Sequence, residues 1–451
     1  MSPYQNLKEC RYITDKPSDS IHQIINNNFM DNTISDYPLI IVGAGAAGLG
    51  ASEFATEQQI EHVVLEASHR IGGRGLTEKL AGDIPIDLGC HWMHCARFNP
   101  YVKWADKLGF HYEKNLISDR DAMFFDGKWL NHNDILEYDT YTEQCAKSIS
   151  SAYEKNKTTS IFDAVNSASK WTQNYFYCLS LGHSNDVDSE SVQDVMEFEE
   201  TYQDYPVREG FGDLIAAQGK DRSVQLNTEV QKIDWTGNPI KITTNKGMIT
   251  TDKILLTVST GVLAADAIEF KPALPENKLE AIHNLQMGNS NYLFFHMDEH
   301  TIGDDIGESI HYQKDDVSLN IRIKPFGTPC IFTSTAGRFA WWLEKQGPTA
   351  AKDFFTAVLC DVFGAGIKNH LNEFKSSAWG FDPWIRGAYA SQQPGYQDLR
   401  PVLAEPLNET LFFAGEATSS NFMNTAHGAY LSGKQAIRLA FPTNIKIKRE
   451  N

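Results

Sequence analysis

The sequence predicts an α/β fold with two domains. One is a doubly wound, Rossmann-like domain that is discontinuous along the chain, and the other, of mixed sheet and helices, interrupts it. The apolar run 38–42 leads through a glycine-rich turn into a helix-like stretch, and a second apolar run follows at 62–65. A third strand-like run, 410–414, precedes a helical stretch at about 426–440. The segments between these ends have a different pattern, which places the second domain in the middle of the chain.

The remaining elements follow from the apolar pattern in chain order. Runs such as 38–42 are typical of strands buried on both faces. Amphipathic helices rich in Tyr, Trp and Phe are expected from about residue 100 to 203, with a markedly acidic stretch at 186–204. The other segments are assigned as strands at 223–227, 241–244, 253–258, 291–297 and 330–335, and a helix at about 350–363.

Length and charge restrict the class of protein. A chain of 451 residues has room for two or three domains of about 150 residues each, and 41% hydrophobic residues exclude wholesale disorder. The 40 basic and 58 acidic residues give a net charge of -18, which argues against a nucleic-acid-binding protein.

The cysteine content and the two ends of the chain indicate the cellular compartment of the protein. The seven cysteines contain no CxxC pair, which fits a reducing compartment better than a disulfide framework or a structural zinc site. Residues 1–36 lack the features of a signal or transit peptide and are expected to form a flexible leader. The most apolar run, 39–51, contains four glycines and is too short to span a membrane. We therefore expect a cytoplasmic protein without a metal site. A frayed tail is expected at 442–451, although basic residues 446–449 could also touch an acidic surface.

The glycine-rich turn has the spacing of a dinucleotide-binding motif. Gly43 permits a tight turn, Gly45 lets the backbone approach a pyrophosphate, and Gly48 allows the helix to pack on the strand. Glu66 ends the second apolar run, 18 residues after Gly48, where its carboxylate can bond both ribose hydroxyls. The helix N-terminus would receive the phosphates. The alternative is a glycine-rich turn that binds no ligand.

A second glycine pair indicates which dinucleotide is bound. Gly72 and Gly73 are followed by Arg74, a cation beside the pyrophosphate expected at the first turn. A nicotinamide cofactor has no need of a second diphosphate clamp, whereas a permanently bound FAD does. The cluster therefore favours FAD, and an ordinary surface arginine is the alternative interpretation of Arg74.

Several separated segments resemble the flavin-containing amine oxidase family, which includes monoamine and polyamine oxidases. They stand in family order between residues 38 and 441. They are VGAGAAG at 42–48 with Glu66, GGRG at 72–75, DLGCHWMH at 87–94, MG at 287–288, WGFDPWIRGAY at 379–389 and FFAGEATSSNFMNTAHGAYLSG at 412–433. The resemblance implies an FAD-binding domain of the glutathione-reductase type and a separate substrate domain.

The resemblance also implies roles along the cofactor. The ADP half would be held by Gly43, Gly45, Ala47, Gly48 and Glu66, the pyrophosphate by Gly73 and Arg74, and the adenine by the backbone of Val230. The flavin would be lined by Gly89, Cys90, His91 and Trp92, its ribityl-phosphate portion by Gly415 and Glu416, and its ring by Thr425 and Ala426. The helix after Thr425 would direct its positive N-terminus at the pyrimidine end of the flavin.

Fewer residues are implied on the substrate side. Tyr389 would flank the substrate in front of the flavin. Trp379 would pack near the ring or be a plain core tryptophan, and His94 would stand near the substrate channel or support it from behind. The acidic stretch 186–204 could supply a carboxylate that binds an ammonium group, although a solvated helix face is the interpretation we favour.

Two positions depart from the family pattern. Relatives that attach FAD covalently use a cysteine where this chain has Ala388, so non-covalent FAD is expected. Many relatives place a lysine four residues after Gly288, where it holds a water at flavin N5, and this chain has Tyr292 there. We therefore expect a slower reaction with oxygen, unless another cation such as Lys324 supplies the charge.

The implied activity is FAD-dependent oxidation of an amine. Hydride transfer to flavin N5 gives an imine, which is hydrolysed to an aldehyde or ketone plus an amine or ammonia, and O2 (giving H2O2) or another acceptor reoxidises the flavin. The expected partners are a small amine and this acceptor, and a homodimer is left open. The expected FAD-binding domain comprises 37–112, 208–284 and 376–441, and the substrate domain comprises 113–207 and 285–375.

Two rival functions share this framework. An L-amino-acid oxidase or desaturase would need an arginine facing the flavin to pair with the substrate carboxylate, and Arg322, Arg338 and Arg386 are the candidates. A catalytically idle flavoprotein scaffold is the other rival, and the nearly complete set of flavin-facing motifs argues against it.

Overall fold

Residues 34–114, 121–165, 168–303 and 306–442 are described by a computed structural model. The expected leader and tail fall almost wholly outside these ranges. The strands are β1 Ile34–Val42, β2 His62–Leu65, β3 Thr77–Leu80, β4 Ile84–Asp87, β5 Trp92–Met93, β6 Asp121–Phe125, β7 Lys128–Trp129, β8 Tyr205–Pro206, β9 Val224–Gln225, β10 Val230–Asp234, β11 Ile240–Thr244, β12 Gly247–Leu256, β13 Glu269–Lys271, β14 Leu285–Met287, β15 Ser290–Met297, β16 Ser309–Lys314, β17 Val317–Ile323, β18 Cys330–Ala336, β19 Leu371–Ser376, β20 Ala390–Gln392 and β21 Leu411–Phe413.

The helices lie between these strands, singly or in groups. They are α1 Ala46–Glu57, α2 Pro100–Leu108, α3 His132–Lys155, α4 Ile161–Val165, α5 Thr172–His183, α6 Val192–Glu197, α7 Phe211–Gly219, α8 Thr260–Ala264, α9 Glu276–Asn284, α10 Gly337–Gln346, α11 Pro348–Phe363, α12 Leu399–Ala404 and α13 Ala426–Ala440. Short 3-10 helices occur at Pro325–Gly327, Ala365–His370 and Glu416–Thr418. Among the helices described, none is both long and apolar enough to cross a bilayer.

The first sheet gathers strands from both ends of the chain. Its order is β13-β10-β11-β12-β1-β2-β9, and β21 pairs with β12. β1 lies parallel to both β2 and β12, with Leu39 opposite His62 on one side and Lys253 on the other. Leu39, Ile40 and Ile41 are fully buried, as expected for a strand covered on both faces. The β1-turn-α1-β2 unit predicted from the sequence is therefore present.

The second sheet lies in the interrupting segments. Its order is β19-β15-β18-β17-β16-β6-β7, and α10 and α11 cover one face through Leu343, Phe355 and Leu359. The strands predicted at 291–297 and 330–335 and the helix at 350–363 correspond to β15, β18 and α11. The domain boundaries themselves stay a prediction, which this distribution of strands supports.

The purely helical interpretation of residues 100–203 is wrong in one part. β6 and β7 lie within it, and β6 pairs in parallel with β16 at the end of the second sheet. Met123 and Phe125 pack against the helical cluster around Trp171, while Phe124 packs into the core of the sheet. Both faces of this strand are thus apolar, and a short apolar run has no period that distinguishes strand from helix.

Candidate active site

A cavity of about 700 Å³ runs from the glycine-rich turn after β1 to the second sheet. The residues that the sequence assigned to the site converge on it. Its walls include Gly43, Gly45, Ala47, Glu66, Gly73, Arg74, Gly89, Cys90, His91, Trp92, His94, Val230, Tyr292, Trp379, Tyr389, Gly415, Glu416, Thr425 and Ala426. Gly48 does not line the cavity and serves packing instead.

The turn between β1 and α1 requires glycine at two positions. Gly43 has φ +102, which L side chains rarely adopt, and a Cβ there would lie 2.7 Å from Thr257 Oγ1. A Cβ on Gly48 would lie 1.9 Å from the Gly43 carbonyl oxygen, so any side chain would force α1 away from the turn. The N-terminus of α1 consequently reaches the cavity through Ala46 and Ala47.

Glu66 is held at the end of β2 with its carboxylate facing this turn. Its Oε2 accepts a hydrogen bond from the Ala44 backbone N–H at 2.7 Å, and Oε1 accepts one from Ser68 N–H at 2.8 Å. A carboxylate oxygen has room for further donors, so ribose hydroxyls could bond beside these amides.

Arg74 connects the second glycine pair to a distant part of the chain. Its Nη1 donates to Glu416 Oε1 at 2.9 Å and to the Ala388 carbonyl oxygen. Arg70, which the sequence analysis did not select, closes the same loop by donating to the Gly73 and Gly75 carbonyls. The GGRG segment is therefore fixed both internally and against the segment before β20 that carries Tyr389.

The segment Gly89–Trp92 is packed tightly behind the cavity. A Cβ on Gly89 would lie 1.8 Å from the Arg74 carbonyl oxygen, and Trp379 Nε1 donates to the Leu88 carbonyl at 2.7 Å. Burial lowers the pKa of His91 to about 3, so this imidazole is neutral. Burial raises the pKa of the Cys90 thiol to about 12, so it stays protonated. Trp379 thus supports this wall as well as lining it.

The N-terminus of α13 forms the opposite wall. Thr425 caps the helix, because its Oγ1 accepts from Gly428 N–H at 3.0 Å and donates to the Phe422 carbonyl at 2.8 Å. The first turn of a helix carries unbonded N–H groups and partial positive charge. Because Thr425 and Ala426 line the cavity, this charge is directed into it.

Two tyrosines line the cavity beside the second sheet. The Tyr389 hydroxyl donates to the Leu181 carbonyl at 2.7 Å, and burial raises its pKa to about 12. The Tyr292 ring lies 5.8 Å from the His91 ring and 5.9 Å from that of Phe332, between centroids. Burial raises the pKa of Tyr292 well above its usual value, so both residues are neutral phenols.

The interpretation of the acidic stretch 186–204 as a solvated helix face is wrong for two of its acidic residues, although Asp188, Glu199 and Glu200 are exposed. Glu190 and Asp194 are buried, Asp194 because Arg400 binds it through two nitrogens at 3.1 and 2.7 Å. Glu200 and Asp204 line the cavity instead. Partners distant in sequence determine this burial, and an acidic composition does not reveal them.

His94 forms an ion pair with Asp204, with Nδ1 3.1 Å from Oδ1. Burial alone would lower the pKa of His94, but the carboxylates of Asp204 and Glu200 outweigh it and raise that pKa. His94 therefore stands at the cavity paired with Asp204, and this pairing favours its protonated form.

His183 also lines the cavity, although no sequence motif indicates it. A lone histidine carries no motif, and only the fold brings it beside Tyr389. Of the three arginines considered for a carboxylate, Arg322 and Arg386 line the cavity, whereas Arg338 pairs with Asp186 and Asp188. No carboxylate within the described ranges lies at ion-pair distance from Arg322, which stands 6.0 Å from the centre of the Trp92 ring.

Lys324 does not supply the cation suggested for the Tyr292 position. Its Nζ donates to the Ile302 carbonyl at 2.7 Å, and no described lysine lines the cavity. The backbone of Lys324 is left-handed at φ 48, so β17 ends before this residue.

Comparison with known proteins gives the family. The model for flavin containing amine oxidoreductases matches residues 137–438, and that for NAD(P)-binding Rossmann-like domains matches 41–106. Polyamine oxidase 2 of Arabidopsis thaliana is 27% identical over 440 residues, covering 88% of this chain and 86% of that protein. Polyamine oxidase 3 of Oryza sativa subsp. japonica is 28% identical over 439 residues, covering 88% and 87%.

Two further likenesses extend this result. Lysine-specific histone demethylase 2 of Homo sapiens is 25% identical over 444 residues, covering 89% of this chain but 53% of that protein. A solved putrescine oxidase, a double mutant with redesigned cofactor binding, superposes with a TM-score of 0.77 at 15% identity, covering 90% of this chain and 99% of that chain. The second likeness shows the fold alone. Because the first family model spans more than half of the chain, the chain belongs to the flavin-containing amine oxidoreductase family and is an FAD-dependent oxidoreductase that acts on amines.

Proposed function

We propose that the substrate is an aliphatic di- or polyamine, oxidised at a nitrogen held between Tyr389 and the N-terminus of α13. The single observation that carries this proposal is the position of Glu200 and Asp204 on the cavity wall, where carboxylates can bind a second ammonium group. The polyamine oxidases among the relatives support the same substrate class.

The described residues fit FAD along the whole cavity. The side-chain-free turn at Gly43 and the N-terminus of α1 suit a pyrophosphate, and Glu66 suits the adenosine ribose. At the other end the N-terminus of α13 suits the flavin pyrimidine, where reduced flavin carries negative charge. When bound, the flavin accepts the hydride from the carbon next to the amine nitrogen.

The protein side chains contribute orientation and a fixed field. We infer that Tyr389 holds the amine against the flavin, Trp379 and Gly89 support the ring from behind, and His94 orients Asp204. None of these groups needs to exchange a proton with the reacting carbon, because burial raises the pKa of Tyr389 and Asp204 is paired with His94. Catalysis would then depend on positioning and on the exclusion of water.

Several expectations stay predictions. The roles given to individual site residues, a homodimer and a cytoplasmic location are among them. The six described cysteines are free thiols.

Anaerobic mixing with amines tests the proposed substrate class. We expect 1,4-diaminobutane to bleach the flavin absorbance at lower concentration than n-butylamine, because the second ammonium group can pair with Asp204. Asp204→Asn should weaken binding of the diamine about tenfold, the effect of one charged hydrogen bond, and leave n-butylamine unchanged. Equal responses to both amines in the parent enzyme would refute the proposal, and bleaching by amino acids alone would favour the rival oxidase.

The flavin is expected to be bound without a covalent link. Ala388 occupies the position of a linking cysteine, and the Cys90 thiol at the cavity stays protonated because burial raises its pKa to about 12. Acid precipitation of the purified protein should release FAD of intact mass into the supernatant. Yellow flavin that stays with the pellet would contradict this prediction.

Replacement of Glu66 should weaken FAD retention. Glu66→Ala removes the acceptor proposed for the ribose hydroxyls, at about 1.5–3 kcal/mol for each charged hydrogen bond. Dialysis followed by fluorescence of released flavin measures the affinity, with Glu57→Ala on the exposed end of α1 as the matched control. Glu66 also accepts hydrogen bonds from the Ala44 and Ser68 amides, so its removal could disturb the turn itself. Glu66→Gln keeps the size of the side chain and therefore tests the effect of its charge alone. Unchanged FAD affinity in Glu66→Ala would show that Glu66 does not bind the ribose.

Tyr292 is expected to slow the reaction of reduced enzyme with oxygen. A neutral phenol lacks the charge that favours electron transfer to oxygen, so Tyr292→Lys should accelerate reoxidation, whereas Tyr292→Phe should not. Stopped-flow mixing of dithionite-reduced enzyme with oxygen measures the rate. If the parent enzyme reoxidises as fast as Tyr292→Lys, the idea fails, and Arg322 is then the cavity cation whose replacement by Met should slow the step.

A further inference from the structure

Glu344, in the last turn of α10, carries a carboxylate that accepts four hydrogen bonds from two other segments of the chain. Its Oε2 accepts from Asn289 Nδ2 at 2.7 Å, from Asn291 Nδ2 at 2.8 Å and from the Gly380 N–H at 3.2 Å. Its Oε1 accepts from the Phe381 N–H at 2.9 Å. All four donors are uncharged amide groups, so these bonds join chain segments to one another without pairing two charges.

The other end of α10 also bonds to the first of these segments. The Gly337 N–H, at the start of the helix, donates to the Asn289 carbonyl at 3.0 Å. The Asn289 and Asn291 side chains are both buried. α10 therefore holds residues 289–291 at both of its ends, directly before Tyr292.

The second segment begins directly after Trp379. Asn291 extends the connection from Glu344 to this tryptophan, because its Oδ1 accepts from the Trp379 N–H at 3.4 Å and from the Ser377 hydroxyl at 3.3 Å. Ser377 Oγ in turn accepts from the Tyr292 N–H at 2.8 Å. Tyr292 and Trp379 are therefore connected to Glu344 through one network of hydrogen bonds.

The same network reaches Tyr389. The Gly387 N–H donates to the Trp379 carbonyl at 2.9 Å, and the Gly288 N–H donates to the Tyr389 carbonyl at 2.9 Å. The Trp379 and Tyr389 side chains thus stand on segments that Glu344 connects, although Glu344 is not among the described residues that line the cavity.

Little free space surrounds the junction of the two segments. A Cβ on Gly380 would lie 2.4 Å from the Trp341 ring and 2.9 Å from Asn289 Nδ2. Closely packed interiors transmit a displacement rather than absorb it. A change at Glu344 is therefore expected to move the side chains on the cavity wall.

We propose that Glu344 is a positioning residue for amine oxidation, which fixes the side chains of Trp379 and Tyr389 relative to the bound flavin. Hydride transfer requires a narrow range of distance and angle between the amine carbon and its acceptor, and a displacement of about 1 Å can cost about 100-fold in rate. Glu344 makes and breaks no bond in the reaction and acts through the wall that it holds. The inference rests on the proposed positions of the flavin and of Tyr389.

Anaerobic stopped-flow reduction of the holoenzyme separates positioning from stability. Glu344→Ala leaves four donors without their acceptor, and we expect the limiting rate of flavin bleaching by 1,4-diaminobutane to fall about 100-fold. The apparent Kd of the diamine should stay within about threefold of the parent value, because Asp204, proposed to bind the second ammonium group, stands on a different segment. Reduction by dithionite should keep its parent rate, since it requires no docked amine.

A second variant keeps the size of the side chain. Glu344→Gln puts an NH2 group where a carboxylate oxygen now accepts, and either orientation of the amide places this group against at least one N–H donor, because both oxygens of Glu344 accept. We expect a smaller loss, about tenfold in the limiting rate. This variant carries the test if Glu344→Ala does not fold.

Lys278→Gln is the matched control for stability. Lys278 is also buried, and its Nζ donates to the carbonyls of Val402, Leu403 and Glu405, none of which is among the described residues that line the cavity. Its replacement should lower the melting temperature, as the Glu344 variants do, but keep the parent limiting rate. The visible circular dichroism of the bound oxidised flavin, measured without turnover, should change in Glu344→Ala and not in Lys278→Gln.

Three results would overturn the proposal: parent limiting rates in both Glu344 variants, an equal loss of rate in Lys278→Gln, or dithionite reduction that is slowed by the same factor. If n-butylamine bleaches the parent flavin as readily as 1,4-diaminobutane, the proposed substrate class fails, and the rates measured with n-butylamine still test Glu344. If neither amine bleaches the flavin, the circular dichroism decides, and an unchanged spectrum in Glu344→Ala contradicts the proposal.

Discussion

The backbone contact between α1 and α13 is the constraint on which the rest of the structure depends. A Cβ on Gly433 would lie 2.0 Å from the Ala47 carbonyl oxygen, and one on Gly50 would lie 2.6 Å from that of Tyr430. The first and last helices therefore touch without intervening side chains, and the Tyr430 hydroxyl donates to Glu53 at 2.6 Å across the contact. This geometry brings the positive ends of both helices to one cavity.

Buried charges complete the cavity in separate pairs. The pairs Arg74–Glu416 and Arg400–Asp194 join segments that are distant in the sequence, whereas His183 and Glu190 are neighbours on the same segment. Removal of one partner from such a pair leaves an uncompensated charge in the interior. The loss in free energy of unfolding is then larger than the stabilisation that the intact pair contributes. These pairs thus serve to position the walls around the flavin and the amine more than to stabilise the fold.

Short-range patterns in the sequence predicted some of these elements correctly and missed others. The β1-turn-α1-β2 unit could be predicted because Gly43, Gly48 and Glu66 act within one supersecondary unit. β6 was missed because both of its faces are apolar. The acidic stretch was partly misread because Asp194 is buried against Arg400, which lies 206 residues further along the chain. Arg322 rather than Lys324 enters the cavity because the left-handed backbone at Lys324 ends β17.

The pairing of the first sheet has a consequence for how the chain folds during its synthesis. β12 stands between β1, made early, and β21, made near the end, with Ile254 opposite both Ile40 and Leu411. Parallel pairings between such distant segments form slowly, because the entropy cost of closing a long loop precedes the favourable contacts between the strands. β21 and α13 can cover the apolar faces of the β1-turn-α1-β2 unit only after the segments between them have been synthesised. Until then these faces stay uncovered, and aggregation can compete with folding.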